Sequence, residues 1–182
     1  MGFGRSIKDY VDVTLDVLLQ KWFCRSVPRI DRIGHTSVEG YNVLVTGCTS
    51  GIGKAAATEF AKRQCNLYLA CRNKTRGDAL KAELEKKYYP EQDQSSSKVH
   101  VLILDLSDLD SVVSFGKHFN SLHIPLHILV NNAGVFAMSA PRSVCFANYE
   151  LHLLTNYLAG ALATLLLLPA LHKASQCTHE VS

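Results

Sequence analysis

The sequence has no surplus of charge of either sign. Nineteen Lys and Arg stand against 16 Asp and Glu, a formal net charge of +3. With no dense Lys/Arg run either, nucleic acid is not expected as a partner. Cysteine pairs in metal or redox spacing are also missing. Cys24, Cys48, Cys65, Cys71, Cys145 and Cys177 include no C-x-x-C and no zinc-ligand spacing. They read as reduced thiols of a cytosolic protein, and no metal site is expected. Nor is there an uninterrupted apolar run of about 20 residues that would cross a membrane. The nearest stretch, 151–171, is broken by His152, Asn156 and Pro169 and reads as a buried helix. The N-terminus makes no secretory signal: Lys8, Asp9, Asp12 and Asp16 interrupt its apolar pattern, and no small-residue cleavage site follows.

What is present is enough apolar sequence, 47% of 182 residues, for one domain with a core and a short extension. Ile7, Tyr10, Val11, Leu15, Leu18, Leu19, Trp22 and Phe23 recur at helical spacing and predict an amphipathic helix over 6–24. Two readings of it stand open. It is an arm packed on the domain, or an interfacial helix with Trp22 and Phe23 at the surface of an internal membrane. Pro28 to Gly40 is a polar linker, so residues 1–40 form an extension and 41–182 the domain.

From Tyr41 onward short apolar runs alternate with longer amphipathic ones. Val43–Thr46, Asn66–Ala70, Val99–Leu104 and His127–Asn131 read as strands; Ile52–Gln64, Thr75–Tyr88, Leu109–Leu122 and about Tyr149–Leu168 read as helices. Strands apolar nearly throughout belong to a parallel sheet covered on both faces. The expected fold is therefore α/β, a Rossmann-type doubly wound parallel sheet, incomplete at about four to five strands.

The stretch NVLVTGCTSGIGK, residues 42–54, runs a buried strand into a glycine turn and then a helix. Gly47 allows the tight turn, Gly51 lets backbone approach a pyrophosphate, and Gly53 lets the helix pack hard against the strand. Thr49, Ser50 and Ile52 complete a loop whose N–H groups and helix dipole face phosphates.

The loop spacing TGxxxGxG resembles that of the short-chain dehydrogenase/reductase family, in its retinol-dehydrogenase-like branch. Three further blocks are similar: Asn131-Asn132-Ala133-Gly134 after the fourth strand, Asp105-Leu106 after the third, and Asn156 within residues 154–160, which resemble the family's N-x-x-G helix segment. The resemblance covers residues 41 to about 175. It implies that Asp105 and Leu106 lie near an adenine, that Asn132, Ala133 and Gly134 line the cofactor, and that Asn156 holds a water in a proton relay.

An acid at the end of the second strand would select NAD through a ribose 2′-hydroxyl. Ala70-Cys71-Arg72-Asn73-Lys74 contains none. Arg72 instead pairs with a 2′-phosphate, with Lys74 adding charge, so NADP is favoured over NAD. The branch resembled also favours NADP.

The family's chemistry needs a Tyr-x-x-x-Lys and an upstream Ser, because a phenol near pKa 10 is a poor acid–base unless a cation stabilises its anion. None of the seven tyrosines is followed four residues later by Lys. Tyr68 with Arg72 is nearest, but Tyr68 lies inside a strand. Ser175 and Ser182 do not follow a complete fifth strand. His118, His123, His127 and His152 form no ligand set, and His100 reads as a buried neutral side chain. The leading expectation is the N-terminal portion of an NADP-dependent oxidoreductase acting on a carbonyl or alcohol of lipophilic character, shortened and inactive as this chain alone. The alternative is a non-catalytic dinucleotide-binding or interaction module. In either case the last strand's edge and the helix face Leu162–Leu168 invite self-association or a partner.

Overall fold

A computed structural model describes residues 37–90, 97–136 and 149–177. The helix expected over 6–24 and any strand at Val181 lie outside the described residues. Strands β1 (Asn42–Thr46), β2 (Asn66–Cys71), β3 (Val99–Ile103) and β4 (Ile128–Val130) alternate with helices α1 (Gly51–Lys62), α2 (Lys74–Tyr88) and α3 (Leu109–Ser121). After β4 come a single helical turn α4 (Leu151–Leu153), a π-turn (Leu154–Leu158) and the long helix α5 (Ala159–Cys177), all continuous.

The strands form one parallel sheet in the order β3-β2-β1-β4. Side-chain alternation splits its core into two layers. Val43, Val45, Leu67 and Leu69 face Ala57 and Ala61 of α1 and Leu80 and Leu84 of α2. Leu44, Tyr68 and Leu102 face Val112, Phe115 and Phe119 of α3 and Ala163 and Leu167 of α5. Every residue of β1 is buried, as the Rossmann-type reading requires of a central strand. His100 stacks on Tyr68 at 5.0 Å, and burial lowers its pKa, in line with a neutral ring. Val38 packs on the core, and Cys65 Sγ donates to its carbonyl at 3.1 Å, so residues just before Tyr41 belong to the packed domain.

The last helix corrects the sequence reading twice. It continues nine residues beyond Leu168, through Pro169, to Cys177. Proline removes the N–H that would reach the carbonyl of Leu165, but Leu165 is exposed, so water can satisfy that carbonyl. Beyond Pro169 the helix is held by buried Ala170 and Ala174 and by Leu126 N–H donating to Ala170 O at 2.9 Å. Its burial is also one-sided. Ala163 and Leu167 are buried, whereas Tyr157, Leu165 and Leu168 are at least half exposed. By length and composition Leu151–Gln176 is apolar enough to cross a membrane, the one such helix among the described residues. Here its inner face packs on α3 and the sheet: Gly116 of α3 lies against Leu166, and Asn120 Nδ2 donates to Leu166 O at 2.9 Å.

The order of the strands reverses between β1 and β4. A crevice opens at the carboxyl ends of strands at such a switch point, and loops from both sides can reach it.

Candidate dinucleotide site

The crevice is built by pressing two loops together. Gly47 (φ +63°) and Gly51 (φ +55°) adopt left-handed backbone that glycine takes without strain. A Cβ on Gly47 would stand 2.8 Å from Ala133 Cα, and one on Gly53 would collide with Asn132 Nδ2 and the Gly47 carbonyl. Gly53 thus brings the start of α1 against the loop and Asn132. The sequence reading had it packing on the strand.

Thr46 stitches the loops. Its buried Oγ1 accepts from the N–H groups of Asn132 and Ala133, both at 3.0 Å, and donates to Val130 O at 3.3 Å. Asn132 Nδ2 returns hydrogen bonds to Thr46 O (3.0 Å) and Gly47 O (3.2 Å). The Asn-Asn-Ala-Gly turn is therefore locked to the end of β1.

Ser50, which precedes α1 at its N-cap, lines this crevice. Helices α2, α3 and α4 begin with side chains that cap them: Asn73 accepts from Arg76 N–H, Asp108 from Asp110 N–H, and Glu150 from Leu153 N–H. Ser50, at the start of α1, makes no such bond. The first N–H groups of α1 have no intrahelical acceptor and carry the positive end of the helix dipole.

The crevice has a volume of about 380 Å³ and is lined from the expected residues by Gly47, Thr49, Ser50, Arg72, Asp105, Leu106, Asn132, Ala133 and Gly134. Gly51, Ile52 and Gly53 do not line it; Ile52 is 81% exposed and points away. Asn156 is also outside the wall. Its Oδ1 accepts from Val135 N–H at 2.7 Å and its Nδ2 donates to Val135 O at 2.9 Å. Both ends of the amide therefore clamp the loop after β4 onto the π-turn.

Charge at the far end comes from a pair of arginines. Arg72 and Arg76 both line the crevice, and neither guanidinium has a carboxylate partner among the described residues. Lys74 was expected as the second cation. It pairs with Asp78 at 2.7 Å, one turn along α2, and borders a different depression with His100 and His118. Across the crevice Asp105 Oδ1 accepts from Ser107 N–H (2.9 Å) and Oγ (2.6 Å), which fixes the loop after β3.

Residues missed by the sequence reading are Thr46, Arg76 and Thr155. Arg72 follows β2 directly and Arg76 lies in the first turn of α2, and the recurrence of Arg after four positions was readable. Thr46 has a role only once β4 is placed beside β1. Thr155 is 7% exposed and its Oγ1 has no hydrogen-bond partner, although the residue lines the crevice. A buried hydroxyl left so costs about 1–3 kcal/mol. The open helix start and the two guanidiniums without a carboxylate partner are a donor set suited to a phosphorylated dinucleotide.

Comparison with known proteins agrees. Residues 41–178 match a family model described as short chain dehydrogenase. Retinol dehydrogenase 12 of Bos taurus is 37% identical over 157 residues, covering 86% of this chain and 46% of the relative. Polyprenol dehydrogenase of Mus musculus is 39% identical over 132 residues, 72% of this chain and 37% of the relative. The chain thus spans less than half the length of these relatives. Among solved structures, a metagenomic short-chain oxidoreductase in complex with NADP superposes with a TM-score of 0.62 at 25% identity, over 76% of this chain and 60% of that one.

Proposed function

This chain belongs to the short-chain dehydrogenase family, and from that premise we propose that it forms the cofactor-binding part of an NADP(H)-dependent oxidoreductase acting on a lipophilic alcohol or its carbonyl. When bound, the nicotinamide takes up or supplies hydride. The open N–H groups of α1 and the loop at Gly47–Ser50 hold the pyrophosphate. Arg72 and Arg76 meet the 2′-phosphate, Asp105 and Leu106 frame the adenine, and Asn132 to Gly134 form the opposite wall. The choice of NADP rests on one observation: the guanidiniums of Arg72, just after β2, and Arg76, in the first turn of α2, line the crevice without a carboxylate partner among the described residues, where an NAD site places a carboxylate. The lipophilic substrate class is supported by relatives named for retinol and polyprenol.

No residue described here carries the proton transfer. Asn156 positions the loop at Val135, and none of the seven tyrosines has a Lys four residues on. That observation favours a second reading, in which these 182 residues bind the dinucleotide without turning it over. Cofactor choice is tested by Arg72→Asp. The NADPH-to-NADH affinity ratio should fall by about 10- to 100-fold, the worth of a charge-assisted hydrogen bond. An unchanged ratio would remove Arg72 from the site.

A further inference from the structure

The carboxyl end of the β1–β4 seam carries the crevice; its amino end carries a histidine. Asn42, the buried first residue of β1, donates its backbone N–H to His127 Nδ1 at 3.0 Å. His127 N–H returns a bond to Asn42 O at 2.9 Å. The Asn42 side chain completes the joint: Nδ2 donates to Pro125 O at 2.7 Å, and Oδ1 accepts from Asn66 Nδ2 at 2.9 Å. The Tyr41 ring stacks on the imidazole with centroids 4.6 Å apart.

A backbone N–H can only donate, so Nδ1 presents a lone pair and the ring's one proton sits on Nε2. A second proton has to go on Nδ1, where it sets a donor against a donor. We propose that His127 is a pH-sensitive latch on the β1–β4 seam: neutral, it holds the N–H of Asn42; protonated, it lets go. Burial acts in the same direction and lowers the pKa of the ring from 6.5. The titratable side chain stacked on the ring is the Tyr41 phenol, and Lys173 reaches the preceding loop at His123 O, 2.6 Å away. No carboxylate among the described residues pairs with the imidazole to favour its charge. The unfolded chain therefore takes up this proton more readily than the folded one. The latch stabilises the fold fully above pH 6.5, and its contribution is lost as pH falls from there to the lower folded value.

Imidazole nitrogen shifts of the wild-type chain should show His127 protonated on Nε2 alone at about pH 7.5 and titrating below 6.5. A proton on Nδ1 at that pH, or titration at or above 6.5, overturns the latch. Hydrogen exchange reads the released bond. The protection factor of the Asn42 amide should fall about five- to tenfold on acidification through that titration. Unchanged protection overturns the latch. His127→Asn keeps an acceptor near Nδ1 but cannot titrate, so its melting temperature should fall less than that of wild type between about pH 7.5 and about pH 5. His100, whose burial also favours the neutral ring, is common to both chains and cancels in the difference. Parallel profiles overturn the latch. Should His127→Asn not fold, the two wild-type readings decide.

Discussion

The thiol of Cys71, at the end of β2 and in the wall of the crevice, has Cys48 of the glycine loop as its neighbour. As thiols they donate to Ala70 O (3.8 Å) and Asn73 O (3.4 Å); once Cys71 ionises, donation from the Cys48 thiol favours its thiolate and brings its pKa from 9.0 down to about 7. The remaining proton is held more firmly, so Cys48 is pushed up, first by that shared bond and then by burial. The thiolate is the nucleophile, and its fraction rises with pH through the pKa. Alkylation of Cys71 by iodoacetamide, followed by peptide mass spectrometry, should therefore show a midpoint near pH 7. Cys48→Ala should move that midpoint back toward 9.0, the ordinary thiol value. A wild-type midpoint already near 9 would mean that the two thiols do not share a proton.

Between elements, the seam joining β1 to β4 carries the crevice, and Thr46 is its fastener. Thr46→Val removes the acceptor of two loop N–H groups, those of Asn132 and Ala133. The loss should be about 1–3 kcal/mol of stability, with weaker NADPH binding as the Asn-Asn-Ala-Gly turn loosens. Chemical denaturation checks the first and calorimetry the second; a variant as stable as wild type would show that the turn is held by other contacts. This seam was not legible in the sequence, because Thr46 and Asn132 are 86 positions apart and become partners only through strand order. The elements themselves were legible. The apolar runs at 43–46, 66–70 and 99–104 announce buried parallel strands, and the glycine spacing fixes where the first loop turns. The end of α5 was not, since Pro169 reads as a stop until tertiary contacts at Leu126 and Ala174 are seen to override it. The π-turn was equally silent: Leu154 to Leu158 has ordinary helical sequence, and its widening shows only in the backbone.

Taken as one body, the described residues make a four-stranded sheet whose two edges are β3 and β4. The three residues of β4 are each only partly buried, whereas β1 beside it is fully covered. Tyr157, Leu165 and Leu168 add an exposed apolar face on the long helix. Unpaired edges and apolar patches of this kind favour association. The crevice lies at the β1–β4 seam and its lining residues fall within 46–155, so its ligand can be tested on the chain as it stands. Thermal melts with and without NADPH and NADH test the central claim most directly. A ligand at about a hundredfold excess over its dissociation constant adds about 2.7 kcal/mol of stability. The account predicts a cooperative melt raised by several degrees with NADPH, and by less with NADH at the same concentration. A cooperative melt that neither nucleotide moves would contradict it.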